Sequence, residues 1–273
     1  MSQILPEHLS LWAYGLIVGA IILIRYALFA GIGFGVLRLF PKRAARRRIS
    51  PVPVTRKQMW REAGYSVLTV AVFAAVFTAV FYAARDWGWF YIYRDASAYG
   101  WVWYALSLPA AVLIHDFYFY WAHRLMHLPG IYDRVHKVHH LSVNPTPLAA
   151  FAFHPVEAVI ESLSFVIVVS AMPIHTSMLM HFAAYMMATN VMGHLGYEMF
   201  PRGFARSKWL GWLMTATCHN QHHRTYRYNY GLYTVIWDRL FGTIHPQYEA
   251  LYDRITEDAG EAAEESGTPV LTQ

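Results

Sequence analysis

The sequence predicts an all-α integral membrane protein: four to five membrane-embedded helices with a helical cytoplasmic cap that holds a di-metal histidine cluster. Three observations carry that reading. Apolar residues make up 56% of the 273-residue chain and charged residues 14%, against about 25% charged in an ordinary soluble domain. The apolar residues fall in runs long enough to cross a bilayer, which takes about 20 residues. The 15 histidines gather mostly in short clusters just beyond the ends of those runs. The same composition excludes a disordered or collagen-like chain, and a single cysteine, Cys218, excludes a disulfide scaffold. The net charge of +5 comes from basic residues beside apolar segments, the pattern of a membrane surface rather than of a nucleic-acid partner.

No internal repeat at a solenoid period is present. Residues 9–40 are apolar apart from Ser10, Arg25 and Arg38. The first span is placed near 11–30, with Arg25 snorkelling toward the nearer interface. The run is too long for a signal-peptide core and lacks a basic start, so it is not read as a cleaved signal. Gly31, Gly33 and Gly35 read as close packing or a helix end. The segment PKRAARRRISPVPVTRKQMWR holds eight Lys/Arg and reads as a loop. A second span follows near 64–84. The connector 85–98 contains Arg85, Asp86, Arg94 and Asp95 among Trp87, Trp89, Phe90 and Tyr91, an aromatic cluster suited to a membrane interface.

A third helix runs from Tyr99 to His127. At 1.5 Å per residue it is about 43 Å long against a hydrocarbon core of about 30 Å. Its last turns therefore project beyond the bilayer, and they carry histidines. Residues 156–171 and 174–196, broken at Pro173, read as a hairpin through the membrane. From Pro201 the chain is mixed and polar. Residues 1–255 form one domain, and the acidic end, 256–273, reads as a disordered tail. Eight Lys/Arg lie between spans one and two and two between spans two and three. The positive-inside rule puts the basic loop, and with it every histidine cluster, in the cytoplasm.

Three clusters stand out: His123 and His127 in HRLMH, His136, His139 and His140 in HKVHH, and His219, His222 and His223 in HNQHH. On a helix, residues at i, i+3 and i+4 share a face, so each cluster turns its imidazoles to one point. Imidazole nitrogen ligates Zn, Fe, Cu and Ni. Eight such ligands exceed what one metal takes and fit two metals side by side. His8, His175, His181 and His245 sit singly and are read as having no ligand role.

The stretches HDFYFYWAHRLMH, HKVHH, FHPVE, NVMGHLGYE and CHNQHHRTYRYNYGLYTVIWDRLFGT resemble the fatty acid hydroxylase / sterol desaturase superfamily of membrane di-iron oxidases. The similarity covers roughly residues 100–245. It implies that His123, His127, His136, His139, His140, His219, His222 and His223 ligate two irons, and that His194 in NVMGHLGYE joins them. Some members carry a further histidine one turn before that position; here it is Asn190, which leaves the coordination of one metal open. His154, beside Pro155 at a helix start, is either a ligand or a cap. Asp116, seven residues before His123, shares its helix face and can hold a ligand imidazole by its second nitrogen. Glu157, Glu161 and Glu198 can do the same, and Asp238 can pair with Arg239 or another cation. No catalytic residue beyond the metal ligands is expected.

The resemblance implies O2-dependent hydroxylation of an unactivated C–H bond in a membrane lipid, or desaturation by the same site, with hydroxylation slightly ahead. An all-nitrogen donor set without thiolate suits iron and O2 better than structural zinc. Phe117, Tyr118, Tyr120, Trp121, Phe151 and Phe153 are candidates to line a lipid slot. No flavin fingerprint, haem segment or ferredoxin-type Cys run is present, so an external electron donor is implied. Two other classes compete. A metal transporter should carry its ionisable groups near the bilayer midplane, and a zinc hydrolase commonly shows HExxH, which is absent here.

Overall fold

The computed structural model describes residues 10–87 and 90–257, with the backbone alone for 83–87. Three helices in it are long and apolar enough to cross a membrane: Leu11–Leu39, Arg56–Tyr82 and Gly100–Met126. The first, α1 (Leu11–Leu39), starts where the Ser10 hydroxyl accepts from Ala13 N, an N-cap. It does not stop near residue 30 but continues through the three glycines to Leu39. Its sequence stays apolar there, and a backbone leaving the helix within an apolar medium would forfeit its hydrogen bonds. Gly33 is the close-packed one: a β-carbon there would lie 3.1 Å from both Pro147 and Val191. Gly31 and Gly35 face open space.

The basic segment is only partly a loop. Pro41 opens a short helix, α2 (Pro41–Arg46), as proline does at a first helical position. The helix α3 (Arg56–Trp87) takes up the segment's last basic residues. Residues 47–55 alone are irregular. Arg25 is half-buried. It borders an internal cavity, with its Nε buried and without a hydrogen-bond partner.

The connector after α3 contains β1 (Ile92–Tyr93), which pairs in parallel with β2 (Ile174–His175). This pair and two isolated bridges, Arg48 with Tyr197 and Leu213 with Thr234, are the β pairing among the described residues. The break at Pro173 frees backbone groups that must find partners, and Ile174 N donates to Tyr91 O at 2.8 Å. Phe90 is buried against Phe81, while Tyr91 is exposed. The side chains of Arg85, Asp86 and Trp87, residue Trp89, and the tail beyond 257 lie outside the described residues. The helix α4 (Gly100–Met126) ends at His127 as its C-cap. Two turns, α5 (Tyr132–Val135) and α6 (Lys137–His140), precede a 3₁₀ turn over Pro147–Phe151. Then come α7 (Pro155–Ala171) and α8 (Thr176–Gly193). At 17 residues, α7 spans about 25 Å, less than a bilayer core, and it carries Glu157 and Glu161.

Residues from α1, α3, the 3₁₀ turn, α7 and α8 share one core of Ile22, Tyr26, Val70, Phe73, Phe151 and Val191 among others. The 3₁₀ turn is pinned there by the Leu148 carbonyl, which accepts from Tyr26 Oη at 3.0 Å and Ser66 Oγ at 2.8 Å. A second core around Met214, Cys218, Val235, Tyr248 and Tyr252 holds α9 (Ala216–Thr225), α10 (Ile236–Leu240) and α11 (Tyr248–Thr256).

Gly33→Leu is therefore expected to lower stability by about 1–3 kcal/mol, the usual cost of overpacking. Gly31→Ala and Gly35→Ala should be neutral or slightly stabilising. Thermal unfolding in detergent, read by monodisperse size-exclusion signal, checks the contrast; equal melting of all three variants would refute the packing role of Gly33.

Candidate metal centre

The helical period puts His123 one turn before His127 at the end of α4. The tight α5–α6 turns bring His136, His139 and His140 to meet them. His194 caps the end of α8, with its backbone N–H directed to Asn190 and neighbouring carbonyls. On α9, His219, His222 and His223 follow an N-cap in which the Thr215 hydroxyl accepts from Cys218 N. The helix stops at Tyr226, whose φ of 63° is left-handed. All nine expected imidazoles converge, in two sets. His123, His127, His136, His140 and His222 form one; His139, His194, His219 and His223 form the other, and within each set the ring nitrogens lie within 4.8 Å of one another. Eight of the nine are buried and His127 is half-buried.

The outward nitrogens are held by fixed acceptors. His123 Nδ1 donates to the Tyr230 carbonyl at 2.8 Å, His222 Nδ1 to the Tyr228 carbonyl at 2.6 Å, and His194 Nδ1 to the Asn190 carbonyl at 2.7 Å. A carbonyl only accepts, so these three rings carry their proton on Nδ1 and present a bare lone pair at Nε2. His136 Nδ1 lies 2.6 Å from Glu157 Oε1, the arrangement by which a carboxylate fixes a ligand imidazole. The Nε2 atoms then face each other: His123 to His136 at 3.0 Å, His222 to His140 at 3.1 Å, His219 to His194 at 3.0 Å. Each of the bare lone pairs on His123, His222 and His194 meets a second imidazole nitrogen at these distances, and His127 Nε2 is buried without a partner, which is costly. A cation can take the nitrogens of each set as ligands, so the donor set fits a metal in each half.

Burial first, and neighbouring imidazoles second, hold His139, His140, His219 and His223 well below the ordinary histidine value. These rings are neutral at physiological pH, the form that ligates.

The other expected residues part company. Glu157 is the carboxylate that reaches an imidazole. Asp116 does not: it accepts from Leu232 N, Tyr233 N, Thr234 Oγ1 and Trp237 Nε1 at 2.6–3.3 Å. Asp238 pairs with no cation; it accepts from Tyr230 N and Gly231 N at 2.8 Å and Thr243 Oγ1 at 2.7 Å, while Arg239 reaches Glu249. Burial pushes the Asp238 carboxyl up to about 6. The two aspartates secure the 230–234 segment, and with it the carbonyl that orients His123. Glu198 accepts from Thr217 N and Oγ1 and from Phe200 N, so it braces the first turn of α9, the end where a helix dipole favours a carboxylate. His154 is the N-cap of α7, its Nδ1 accepting from Val156 N. Asn190 Nδ2 donates to the Ala150 carbonyl. His175 caps α8, His181 donates to the Ser177 carbonyl and His245 accepts from Gln247 N, so none of these three joins a histidine set. His8 lies outside the described residues.

Beneath the histidines, residues of α1, α3, α4, α7 and α8 line a cavity of about 370 Å³. Of the six aromatics proposed for a slot, Phe151 and Phe153 line it; Tyr118 and Tyr120 do not, and Phe117 and Trp121 are exposed. Phe119 does the work on α4, because it is spaced four residues from both His115 and His123 and so shares their face. Phe119 and Phe153 each lie 5.1 Å, between ring centroids, from His123 and His139 respectively. Sequence reading missed the backbone acceptors at Tyr228 and Tyr230, for which no side-chain pattern exists. It also missed Arg25 in the cavity wall, for which its position midway along an apolar helix was the available signal.

A membrane-type helical protein with two abutting histidine sets able to hold metal is the class that this geometry defines. The fatty acid hydroxylase family model matches residues 108–243, about half of the chain and the part that holds all nine histidines. The chain belongs to the fatty acid hydroxylase / sterol desaturase superfamily. It is 28% identical over 255 residues to the Delta(7)-sterol 5(6)-desaturase erg3B of Aspergillus fumigatus, covering 93% of this chain and 70% of that one. It is 28% identical to the Delta(7)-sterol 5(6)-desaturase of Leptosphaeria maculans, covering 92% and 65%. To the Delta(7)-sterol 5(6)-desaturase erg31 of Schizosaccharomyces pombe it is 31% identical, covering 66% and 57%. The chain thus spans between 57% and 70% of the length of these relatives. No solved structure matches it.

Two outcomes follow. Glu157→Gln should weaken metal binding about 10- to 100-fold, read as metal retained per chain after dialysis against a chelator series; unchanged retention would show that Glu157 does not act on His136. The metal-free protein should lose melting temperature as pH falls through about 6.5, the unfolded histidine value. Below it the unfolded chain takes up protons that the folded rings, with lowered pKa, refuse. A melting temperature that is flat between pH 7.5 and 5.5 would contradict this.

Proposed function

We propose that the protein is an O2-dependent di-iron oxidoreductase that hydroxylates or desaturates a membrane lipid. The observation that carries this reading is the pair of five- and four-imidazole sets, with bare Nε2 atoms on His123, His194 and His222, abutting an apolar cavity in a helical bundle. The names of the family and of the relatives, a fatty acid hydroxylase and sterol desaturases, support the same chemistry with a fatty-acyl or sterol-like substrate.

One iron would be held by His123, His127, His136, His140 and His222, the other by His139, His194, His219 and His223. Iron is preferred over zinc because the donors are nitrogens throughout. Cys218 adds no thiolate: it is buried, and that burial pushes its thiol up, the opposite of a reactive or ligating cysteine. When bound, the irons would supply O2-dependent removal of hydrogen from an unactivated C–H bond. The chain's own work is to hold and shield. Carbonyls 190, 228 and 230 and the Glu157 carboxylate fix the ligand rings. Phe119 and Phe153 wall the cavity against the histidines, exclude water and set which carbon of a lipid can approach. Hydroxylation and desaturation share this ligand set, so the position of the substrate decides between them.

The basic segment before α3 places the histidines on the cytoplasmic side by the positive-inside rule. With α7 and α8 entering the same bilayer as a hairpin, the membrane-embedded helices number five, and the segment beyond α8 is the cytoplasmic cap. Electrons come from an external donor, since the chain carries no second redox motif.

Protein purified in detergent from iron-replete cells is expected to hold about two irons per chain, as two-metal carboxylate or histidine centres do. His139→Ala and His222→Ala should each lower that content and abolish activity while leaving membrane insertion intact. Lipid mass comparison of cells with and without the active chain separates a gain of one oxygen from a loss of two hydrogens. Zinc that cannot be exchanged for iron with gain of activity, or an unchanged lipid profile, would refute the reading.

A further inference from the structure

A band of apolar side chains stays uncovered on the segment after α8. On α10, Ile236 and Leu240 are exposed and share a helix face at i, i+4. Asp238, on the opposite side, is turned inward to the N–H groups of Tyr230 and Gly231. A third side of α10 packs on α4. Trp237 lies 5.0 Å from Phe117, and Phe241 4.9 Å from Trp121, between ring centroids. Trp237 Nε1 also donates to Asp116 at 3.1 Å. The chain before α10 extends the band. Trp209 is 85% exposed and Trp212 42%. The Trp212 carbonyl accepts from Val235 N at 2.9 Å, and its indole N–H donates to the Trp209 carbonyl at 2.7 Å. Single exposed apolar residues are ordinary, but a contiguous patch marks an interaction surface.

The band continues the outward side of α4, where Trp101, Leu106, Leu113, Phe117 and Trp121 are exposed. Trp101 and Trp121 stand about 30 Å apart along the helix at 1.5 Å per residue, the thickness of a hydrocarbon core. Tryptophan is enriched at both edges of that core. With α4 in a bilayer, the histidine-side edge passes at Trp121, two residues before His123, and Phe241 meets it there. We propose that the outer face of α10 and the turn 209–212 insert into this lipid interface, a membrane contact made by the cap itself. The partner is the lipid surface because the patch is continuous with a helix already long and apolar enough to cross a membrane, and because indole rings suit the headgroup level. Lys208, exposed beside Trp209, is a cation of the kind that reaches lipid phosphates from such a face. The contact is also joined to the metal centre. Leu213 bridges Thr234, Met214 N donates to the Tyr233 carbonyl at 2.9 Å, and Thr215 then caps α9. Insertion therefore holds α9 and its histidines at a fixed height over the cavity. The inference rests on α4 crossing a membrane and goes beyond the oxidation chemistry, on which it does not depend.

Depth in the bilayer tests this. Full-length protein with its metal is reconstituted into vesicles of phosphatidylcholine and phosphatidylglycerol. A nitroxide is attached in turn through Leu240→Cys, Trp209→Cys, Leu113→Cys in the middle of α4, and Gln247→Cys on the exposed polar side of the cap. The native Cys218 is buried, and the unsubstituted protein treated with the same label corrects for it. Collision with O2, which concentrates among acyl chains, is compared with collision with a water-soluble nickel chelate. The nitroxides at 240 and 209 are expected about 5–10 Å below the headgroup boundary, favouring O2 as at 113, whereas 247 favours nickel. Nickel preference at 240 or 209, with O2 preference at 113, overturns the proposal alone. Nickel preference at 113 as well overturns the crossing by α4 and the proposal with it. Shielding of 240 and 209 from both reagents, with spin–spin broadening between copies, assigns the patch to a second copy of the chain and overturns insertion. If one of the two variants fails to fold, the other decides. Iron content is assayed on the same samples and bears only on the oxidase reading: insertion without iron leaves this proposal standing, and iron without insertion overturns this proposal only.

Discussion

In each half of the centre, imidazoles from separate segments turn ring nitrogens toward one another, and the anchored Nδ1 atoms of His123, His136, His194 and His222 help keep them there. His123 and His136 show the constraint most plainly. One gives its Nδ1 proton to a backbone carbonyl and the other lies against a buried carboxylate, and their Nε2 atoms stand 3.0 Å apart. That contact is unfavourable by itself. It persists because four separate segments of chain approach from different directions and neither of these two rings can turn without breaking its anchor. The anchors are mostly backbone carbonyls, which cannot rotate away as a side chain can.

The carbonyls in turn need fixing, and that is where the buried aspartates enter. Asp116 lies on α4, the helix that carries His123, yet it serves the segment 232–237 rather than the imidazole. Asp238 collects the N–H groups of Tyr230 and Gly231. Between them the loop after α9 is tied to α4 at several points, so the Tyr230 carbonyl meets His123 with its position determined from both sides. Left-handed Tyr226 and Asn229 belong to the same device. They turn the chain sharply after His223 so that residues 228 and 230 can come back over His222 and His123. Such backbone is costly for residues with a β-carbon and is paid for here by the Asn229 side chain, which donates to the Cys218 carbonyl and accepts from His245 N.

The residues that converge were legible because helix geometry alone relates i, i+3 and i+4, so HxxHH and HxxxH spacings fix facing without knowledge of the fold. The membrane helices were legible for a similar reason, since an apolar run of span length has one stable conformation in lipid. What could not be read depends on contacts between distant segments. Asp116 shares a helix face with His123, and spacing therefore suggested a direct partner; the competing donors come from residues more than a hundred positions away. The aromatics around the first box were all adjacent in sequence, but only the Phe119 face looks into the cavity. Arg25 was legible as an oddity, but its place in the cavity wall was not, because which face of an apolar helix meets a cavity is set by neighbouring helices. The parallel pairing of Ile92–Tyr93 with Ile174–His175 is too short to leave any periodic signal.

The two halves of the centre are unequal, and one side chain explains much of the difference. The set built on His139, His194, His219 and His223 has four nitrogens where its neighbour has five. Asn190 lies one helical turn before His194, on the same face, where a further imidazole would point into that set. Its amide instead donates to the Ala150 carbonyl at 2.8 Å, while its backbone carbonyl takes the His194 proton. The residue also borders the cavity. The set with fewer nitrogens therefore has an amide rather than an imidazole between it and the lipid-sized space, and the amide is turned to tie the 3₁₀ turn to α8. Gly33, packed on Pro147 and Val191, closes the same junction from α1. Both halves thus draw on the helical bundle and on the segments beyond it: Phe119 and Glu157 reach the five-nitrogen half, which also lies under Tyr132 and Tyr226, and α9 supplies His219 and His223 to the four-nitrogen half.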